Sequence, residues 1–444
     1  MRLYRYITPL ILLLLSTAIN CESFAATVPS FPDRKVSVAD FGGKGDARYV
    51  NTEAFAKAVD ALAEAGGGIL EVPAGIWLSG QIVLKSNVNL HVDDGAILVF
   101  INDKSVYPKL ELDGLYFDKT IEGQIFAMDA RNVAVTGGGL IDGQGEYWRR
   151  VNVNNVSPSE WNSYVNMGGV ITDNGKYWFP VYPARNRPRL IQFVKCKDVY
   201  MKDIYVQNAP MWHIHLLDCE NVTVENVTVR SEPYAQNGDG IDIDSSRDVL
   251  VRHCFFDVGD DAICLKSGKY PSDGKVNPPC RDVVIEDCHV FHGHGGFVIG
   301  SEMSGGVSDV VVRDCVFSNT DVGLRFKTNR ERGGVIENIR MENIVMNKVS
   351  ISISVTMFYD SKEVHDQYVE KNGRTPVIHS LYFRNIVSFG TGRPLTIIGL
   401  PESFVTDVTL EDCTFAGDKS FHLENCTQPK MSNVRTYSVK NYPL

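Results

Sequence analysis

No apolar run in this 444-residue chain is long enough to cross a bilayer as a helix, which excludes a polytopic helical membrane protein. The run through Ile11 to Leu15 is short, follows Arg2 and Arg5, and precedes Ser23-Phe24-Ala25. That pattern predicts a secretory signal peptide over residues 1–25, cleaved after Ala25, and a secreted or periplasmic product. Cys21 opens a lipid-anchored alternative, but Asn20 is not the small residue such processing wants before it. A basic excess is also missing. Removal of a leader with two arginines and one glutamate takes the net charge from −10 to −11, which argues against nucleic acid or an anionic membrane as the main partner. An even set of cysteines is missing as well. Of ten, Cys21 leaves with the leader, and the remaining odd number gives no simple disulfide framework. His213 and His215 share a strand face, but no third ligand follows at metal spacing, so packing or a sugar hydrogen bond is expected there and no metal or cofactor.

Long helical periodicity is absent after residue 66. What replaces it is one short pattern, repeated: Asp248-Val-Leu-Val-Arg-His-Cys254, Asp282-Val-Val-Ile-Glu-Asp-Cys288, Asp309-Val-Val-Val-Arg-Asp-Cys315 and Asp407-Val-Thr-Leu-Glu-Asp-Cys413. Weaker copies begin at Asn132, Asp198, Asn221, Asn338 and Asn433, and the starts are mostly 23 to 34 residues apart. Each copy alternates apolar and polar residues, as a strand with one buried face does. Self-similarity at this period signals a solenoid, and short strands favour an all-β parallel β-helix over a leucine-rich or helical array. Residues one coil apart then lie about 4.8 Å from each other. Cys254, Cys288, Cys315 and Cys413 fall at one repeat position, which predicts a column of small buried side chains in preference to disulfides.

A single catalytic domain is expected over 36–440. It opens on the one helical passage, within 36–66, where Asn51 or Thr52 can cap and Phe55, Val59 and Leu62 share a face before Gly66-Gly67-Gly68. Such a helix would cover the open first coil. Residues 143 to 189 depart from the repeat and are rich in aromatics, among them Trp148, Trp161, Tyr164, Tyr177 and Trp178, which suit a packed loop or a sugar-stacking wall equally. A second polar insertion covers about 360 to 376, with Tyr359 before it a further candidate for the cleft. Asn155, Asn221, Asn226 and Asn425 begin Asn-x-Ser/Thr sequons.

Chemistry concentrates between Asn237 and Lys327. Asp239 stands in Asn-Gly-Asp-Gly-Ile-Asp at 237 to 242, and Asp260 and Asp261 in Val-Gly-Asp-Asp-Ala at 258 to 262. Gly293-His294-Gly295 and Arg325-Phe326-Lys327 follow. Asp260 lies twelve residues after Asp248 and His294 twelve after Asp282, so the repeat brings them together. Glycosidic cleavage needs an acid at the leaving oxygen and a base or nucleophile opposite, so clustered carboxylates are its minimum. Adjacent aspartates point to opposite faces of a regular strand, and Gly259 permits a bend that lets both reach one cleft. Asp242 and Asp244 are expected to cap turns or join ladders.

Val38-Ala39-Asp40-Phe41-Gly42, Asn208-Ala209-Pro210-Met211-Trp212, the two aspartate stretches, Gly-His-Gly, Ile299-Gly300-Ser301-Glu302 and Arg-Phe-Lys, in this order, resemble glycoside hydrolase family 28, the polygalacturonases. The resemblance spans 36 to 440. It implies a right-handed coil, a pectic galacturonan substrate cleaved at α-1,4 linkages, and no cofactor. It further implies that Asp260 is the general acid, that Asp239 and Asp261 hold and activate water, and that His294 tunes a carboxylate. Arg325 and Lys327 match the family's substrate-gripping pair, and their period-2 spacing puts both on one face. On this reading Asp260 is protonated while Asp239 and Asp261 are ionised, and a water-holding pair favours inversion. Gly238 and Phe326 depart from the usual Thr and Ile, which puts sugar fit in question. A rhamnogalacturonan or exo-acting pectin hydrolase is the alternative within the class; a β-helix polysaccharide lyase and a non-catalytic carbohydrate-binding solenoid stand outside it. A monomer is expected.

Overall fold

The computed structural model describes residues 27–439 without 113, 116–120, 181–186, 362–363 and 391. The expected signal peptide, Cys21 and residue 440 lie outside the described residues. The chain winds as a right-handed parallel β-helix whose strands stack in register on three faces. One face stacks Ile191–Val194, Ile214–Leu217, Ile241–Asp244 and Asp261–Lys266, then the last part of His289–Gly300, then Thr320–Lys327. A second stacks Lys197–Lys202, Glu220–Glu225, Arg247–Arg252, Cys280–Glu286 and Val307–Arg313. The third stacks Tyr205–Gln207, Thr228–Arg230, Phe255–Asp257 and the start of His289–Gly300.

The repeat explains each corner. Asp198, Asn221, Asp248, Asp282, Asp309, Asn338 and Asp407, which open the copies, all have φ between 51° and 59°. Among residues with a side chain, Asn and Asp tolerate this left-handed region best. Their side chains then bond from coil to coil, as in Asn221 Nδ2 to Asp198 Oδ1 at 2.6 Å and Asn338 Nδ2 to Asp309 Oδ1 at 3.2 Å. The copy read as starting at Asn433 is out of register: Asn433 donates to Asp412 Oδ1, so it belongs to the corner at the other end of the pattern, where that copy's Cys would follow. Between corners, Val222 and Val224 stack on Val249 and Val251, then on Val283 and Ile285, all fully buried. At roughly 1.5–3 kcal/mol per buried Val or Ile, this interior and not the exposed ion pairs holds the coils together. The cysteine column is buried, and among the described residues nine cysteines are free. Each thiol of Cys254, Cys288, Cys315 and Cys413 donates to the carbonyl two residues earlier, between 3.1 and 3.3 Å away. The sequon side chains of Asn221, Asn226 and Asn425 are likewise engaged, donating to Asp198, Asp203 and Gly399.

The helix Thr52–Glu64 covers the first coil with Phe55, Val59 and Leu62 buried. Neither expected cap acts as one. Asn51 occupies the N-cap position, but its side chain accepts from the Lys44 amide at 2.7 Å and donates to the Lys44, Tyr49 and Leu78 carbonyls. Thr52 Oγ1 accepts from the Gly80 amide at 2.7 Å. Both side chains tie the helix to the coil instead of closing its end. Nor is this the one helical passage: Pro158–Asn166 forms a second helix inside the insertion, with a Ser157/Glu160 capping box. Only its Tyr164 is buried, so it carried too little apolar periodicity to be seen. A three-stranded antiparallel sheet accompanies it. Trp148 packs on Tyr107, and Trp178 on Tyr164, so these rings fill the insertion instead of facing sugar.

Candidate active site

Asp239 lies in the turn before Ile241–Asp244, Asp260 in the corner before Asp261–Lys266, and Asp261 at that strand's first position. Asp260 therefore precedes the regular strand, and the alternation that would part adjacent side chains does not apply to it. One oxygen from each of the three carboxylates lies within 4.8 Å of the others. The chain bends at Gly259 and Asp260, as expected, and glycine has a second role there. A Cβ there would meet the Glu232 carbonyl at 2.5 Å and the Ala235 amide at 2.7 Å, so glycine is needed for close approach of that loop. A Cβ on Gly295 would meet Val298 Cγ2 at 2.3 Å and stand 3.3 Å from Asp261 Oδ1, so glycine is needed here as well.

Each carboxylate has its own surroundings. Asp260 accepts from the Asn237 amide at 3.1 Å and the Asp261 amide at 3.0 Å, and lies 3.2 Å from His294 Nδ1. Burial works to raise it, yet the hydrogen bond and charge of His294, with Lys327 and Lys266, bring it below the usual carboxylate range. The same contact with Asp260 raises His294. Asp239 is almost fully buried, and burial, then Asp242 and Asp260, push it well above that range. Its Oδ1 receives no hydrogen bond from the described residues. These directions run opposite to the expected placement: burial and the neighbouring carboxylates favour a neutral Asp239, whereas His294 favours an ionised Asp260.

Asp261 accepts from Lys327 Nζ at 2.5 Å and from Arg325 Nη1 at 3.5 Å. The two cations share a face, as expected, and both lie over the Tyr359 ring. Lys327 is buried and committed to Asp261, whereas Arg325 keeps about a fifth of its side chain exposed. Phe326 points the opposite way, into the core, edge-on to Phe383, and does not reach the cleft. Its departure from Ile therefore cannot alter sugar fit directly. Gly238 is buried, and a Cβ there would meet Ala235 Cβ at 2.9 Å, so a Thr would need this loop to move.

Behind the carboxylates lies a buried polar layer that the sequence did not disclose. Lys266 Nζ is 3.4 Å from both Asp242 Oδ1 and Glu302 Oε2 and lies over the Trp212 ring. His215 bonds Gln192 at 3.1 Å and faces Asp244 Oδ2 at 3.5 Å, which is the packing role expected of it. His213, fully buried, faces the Asp239 and Arg230 carbonyls, and burial lowers it to about 4. Asp242 and Asp244 serve this layer. Only the outward position of Lys266, in register with Asp244, could have signalled it. The insertion is tied to the same place: Arg149 Nη2 binds Glu232 at 2.8 Å, and Arg187 Nη2 binds Asn237 Oδ1 at 2.8 Å.

A family model described as glycosyl hydrolases family 28 matches residues 70–434. The chain belongs to that family. A protein of Vitis vinifera named "Probable polygalacturonase" is 28% identical over 409 residues, covering 90% of this chain and 75% of its own. An endo-polygalacturonase of Pectobacterium carotovorum is 27% identical, covering 80% of this chain and 81% of its own. The crystal structure of a hyperthermoactive exopolygalacturonase from Thermotoga maritima superposes with TM-score 0.78 at 33% identity, over 93% of this chain and 94% of that one. Among the described residues no helix is long and apolar enough to cross a membrane.

Proposed function

We propose that the chain hydrolyses α-1,4-galacturonosyl linkages of pectin or polygalacturonate, in one displacement with inversion. The observation that carries this reading is the convergence of Asp239, Asp260 and Asp261 within 4.8 Å, with two cations on one side of Asp261. Asp260 delivers the proton to the leaving oxygen. His294 supplies it, because imidazolium and carboxylate hold one proton between them. Asp261 takes the proton of the attacking water, and Asp239, which burial favours in its neutral form, orients that water through the oxygen that lies nearest the other two carboxylates. Nearest-oxygen spacing does not by itself separate the two stereochemical courses, since carboxyl groups extend beyond their nearest atoms. Two water-holding groups on different coils favour inversion. Arg325, the more exposed cation, meets the substrate carboxylate. The substrate reading implies export and one catalytic domain over 36–440.

A second reading, exo action, has one observation in its favour. Arg187, in the insertion, binds the Asn237 side chain, and the Asn237 amide binds Asp260, so the insertion braces the loop directly beside the acid. Three converging carboxylates also have the donor chemistry of a hard-cation site, as a lyase would need. Incubation with polygalacturonate decides among these. Hydrolysis gives saturated products at a rate indifferent to chelator, and monomer-only release marks exo action. Unsaturated products, or activity lost to chelator, would refute the hydrolase.

A further inference from the structure

We propose that the third face of the solenoid, next to the cleft, carries a second binding groove for an acidic polysaccharide, built on Phe255, His289, Phe291 and Arg230. It rests on the galacturonan reading above. Tyr205, Thr228, Phe255 and His289 stand in register on four successive coils, while their neighbours Val206, Val229, Phe256 and Val290 fill the core. This column therefore faces out. Phe255 and His289 stack at 5.6 Å and 29°, and His289 and Phe291 at 6.4 Å and 28°. Phe291, two residues after His289, faces the same way by strand alternation, and a register shift that pairs Phe256 with Val290 but Asp257 with His292 leaves it as the extra residue of a bulge. Its ring is 45% exposed, beside Phe255 at 37%.

Charge selects the occupant. Three grooves of about 370, 300 and 380 Å³ adjoin on this face, and Arg230 lines all of them. Two-thirds of the Arg230 side chain is exposed, and its ion pair with Asp257 is long, at 3.9 Å. The acidic groups nearby are already engaged: Asp257 with His292 at 2.7 Å, Glu232 with Arg149 at 2.8 Å, and Asp142 with Gln207 at 2.7 Å. A flat aromatic platform with one outward guanidinium suits pyranose rings that carry a carboxylate. The groove also borders the loop that carries Asp260. Ser231, in its lining, accepts from the Gly259 amide at 3.1 Å, one residue before Asp260. A uronate strand of the substrate polymer could thus be held here while a neighbouring stretch is cut.

Titration calorimetry with trigalacturonate tests this, using full-length Asp260→Asn protein to prevent turnover. Two sites per chain are expected, and one after Phe255→Ala or Arg230→Ala, with Phe291→Ala as an independent variant. A single site in the parent, two sites surviving in all three variants, or equal occupancy of the second site by a neutral galactan would overturn the inference. Wild-type hydrolysis of polygalacturonate is measured alongside. A hydrolysing enzyme with one site defeats the groove alone; no hydrolysis defeats the galacturonan reading beneath it.

Discussion

His294 stands one coil from Asp260, its Nδ1 3.2 Å from Asp260 Oδ1 and its backbone amide donating to the Asp260 carbonyl at 2.9 Å. The pair stabilises itself only while both are charged. His294 is raised from 6.5, so its contribution is full below about 6.5 and is lost as pH rises through the raised value. Asp260 is lowered, so its contribution is present above about 3.9 and is lost as pH falls through the lowered value. The fold therefore gains most from the pair between those limits. Activity should be bell-shaped, with the alkaline limb set by the proton the two share. In His294→Ala that limb should move to lower pH, towards the carboxylate range, in kcat/KM measured against pH. An unmoved limb would remove His294 from the proton path.

Lys327 and Arg325 should separate in their effects. Breaking the buried Lys327–Asp261 pair leaves the carboxylate with only the longer Arg325 contact at 3.5 Å, and removing one partner of a buried pair typically costs about 3–5 kcal/mol. Lys327→Met should therefore lower the denaturation midpoint strongly, and adding Asp261→Asn should restore part of it. Arg325→Ala should leave stability nearly unchanged, weaken binding of galacturonate oligomers, and reduce the preference for free over methyl-esterified substrate. Equal stability losses in the two variants would contradict this division.

Phe326 offers a test of where specificity does not lie. It is fully buried, so Phe326→Ala should cost about 3–5 kcal/mol by core truncation, and Phe326→Ile less. Product sizes from Phe326→Ile should match those of the wild type. A changed product profile would mean that the residue reaches the cleft after all.

The sequence made the site legible because the solenoid converts spacing into proximity. Twelve residues from Asp248 and twelve from Asp282 predict the Asp260–His294 contact that the coils make. The same period-2 rule that puts Arg325 and Lys327 on one face also turns Phe326 inward, so its departure from Ile does not bear directly on sugar fit. What stayed hidden lacks a period. Pro158–Asn166 buries one side chain, the Lys266–Asp242–Glu302 layer is joined only in space, and the caps read at Asn51 and Thr52 were drawn off by Lys44 and Gly80. The surroundings that raise Asp239 were hidden too, because its burial belongs to the fold and not to its neighbours in sequence.

The central claim is that Asp260 gives the leaving oxygen its proton within the three-carboxylate cluster. Asp260→Asn keeps the side chain's size and one of the two oxygens that separately accept from the Asn237 and Asp261 amides, but carries no acidic proton. Reducing ends released from polygalacturonate by the purified variant, normalised to wild type at equal thermal stability, measure the claim directly. The account predicts a loss of several powers of ten in kcat. A variant that folds normally and keeps a tenth of wild-type turnover would contradict it.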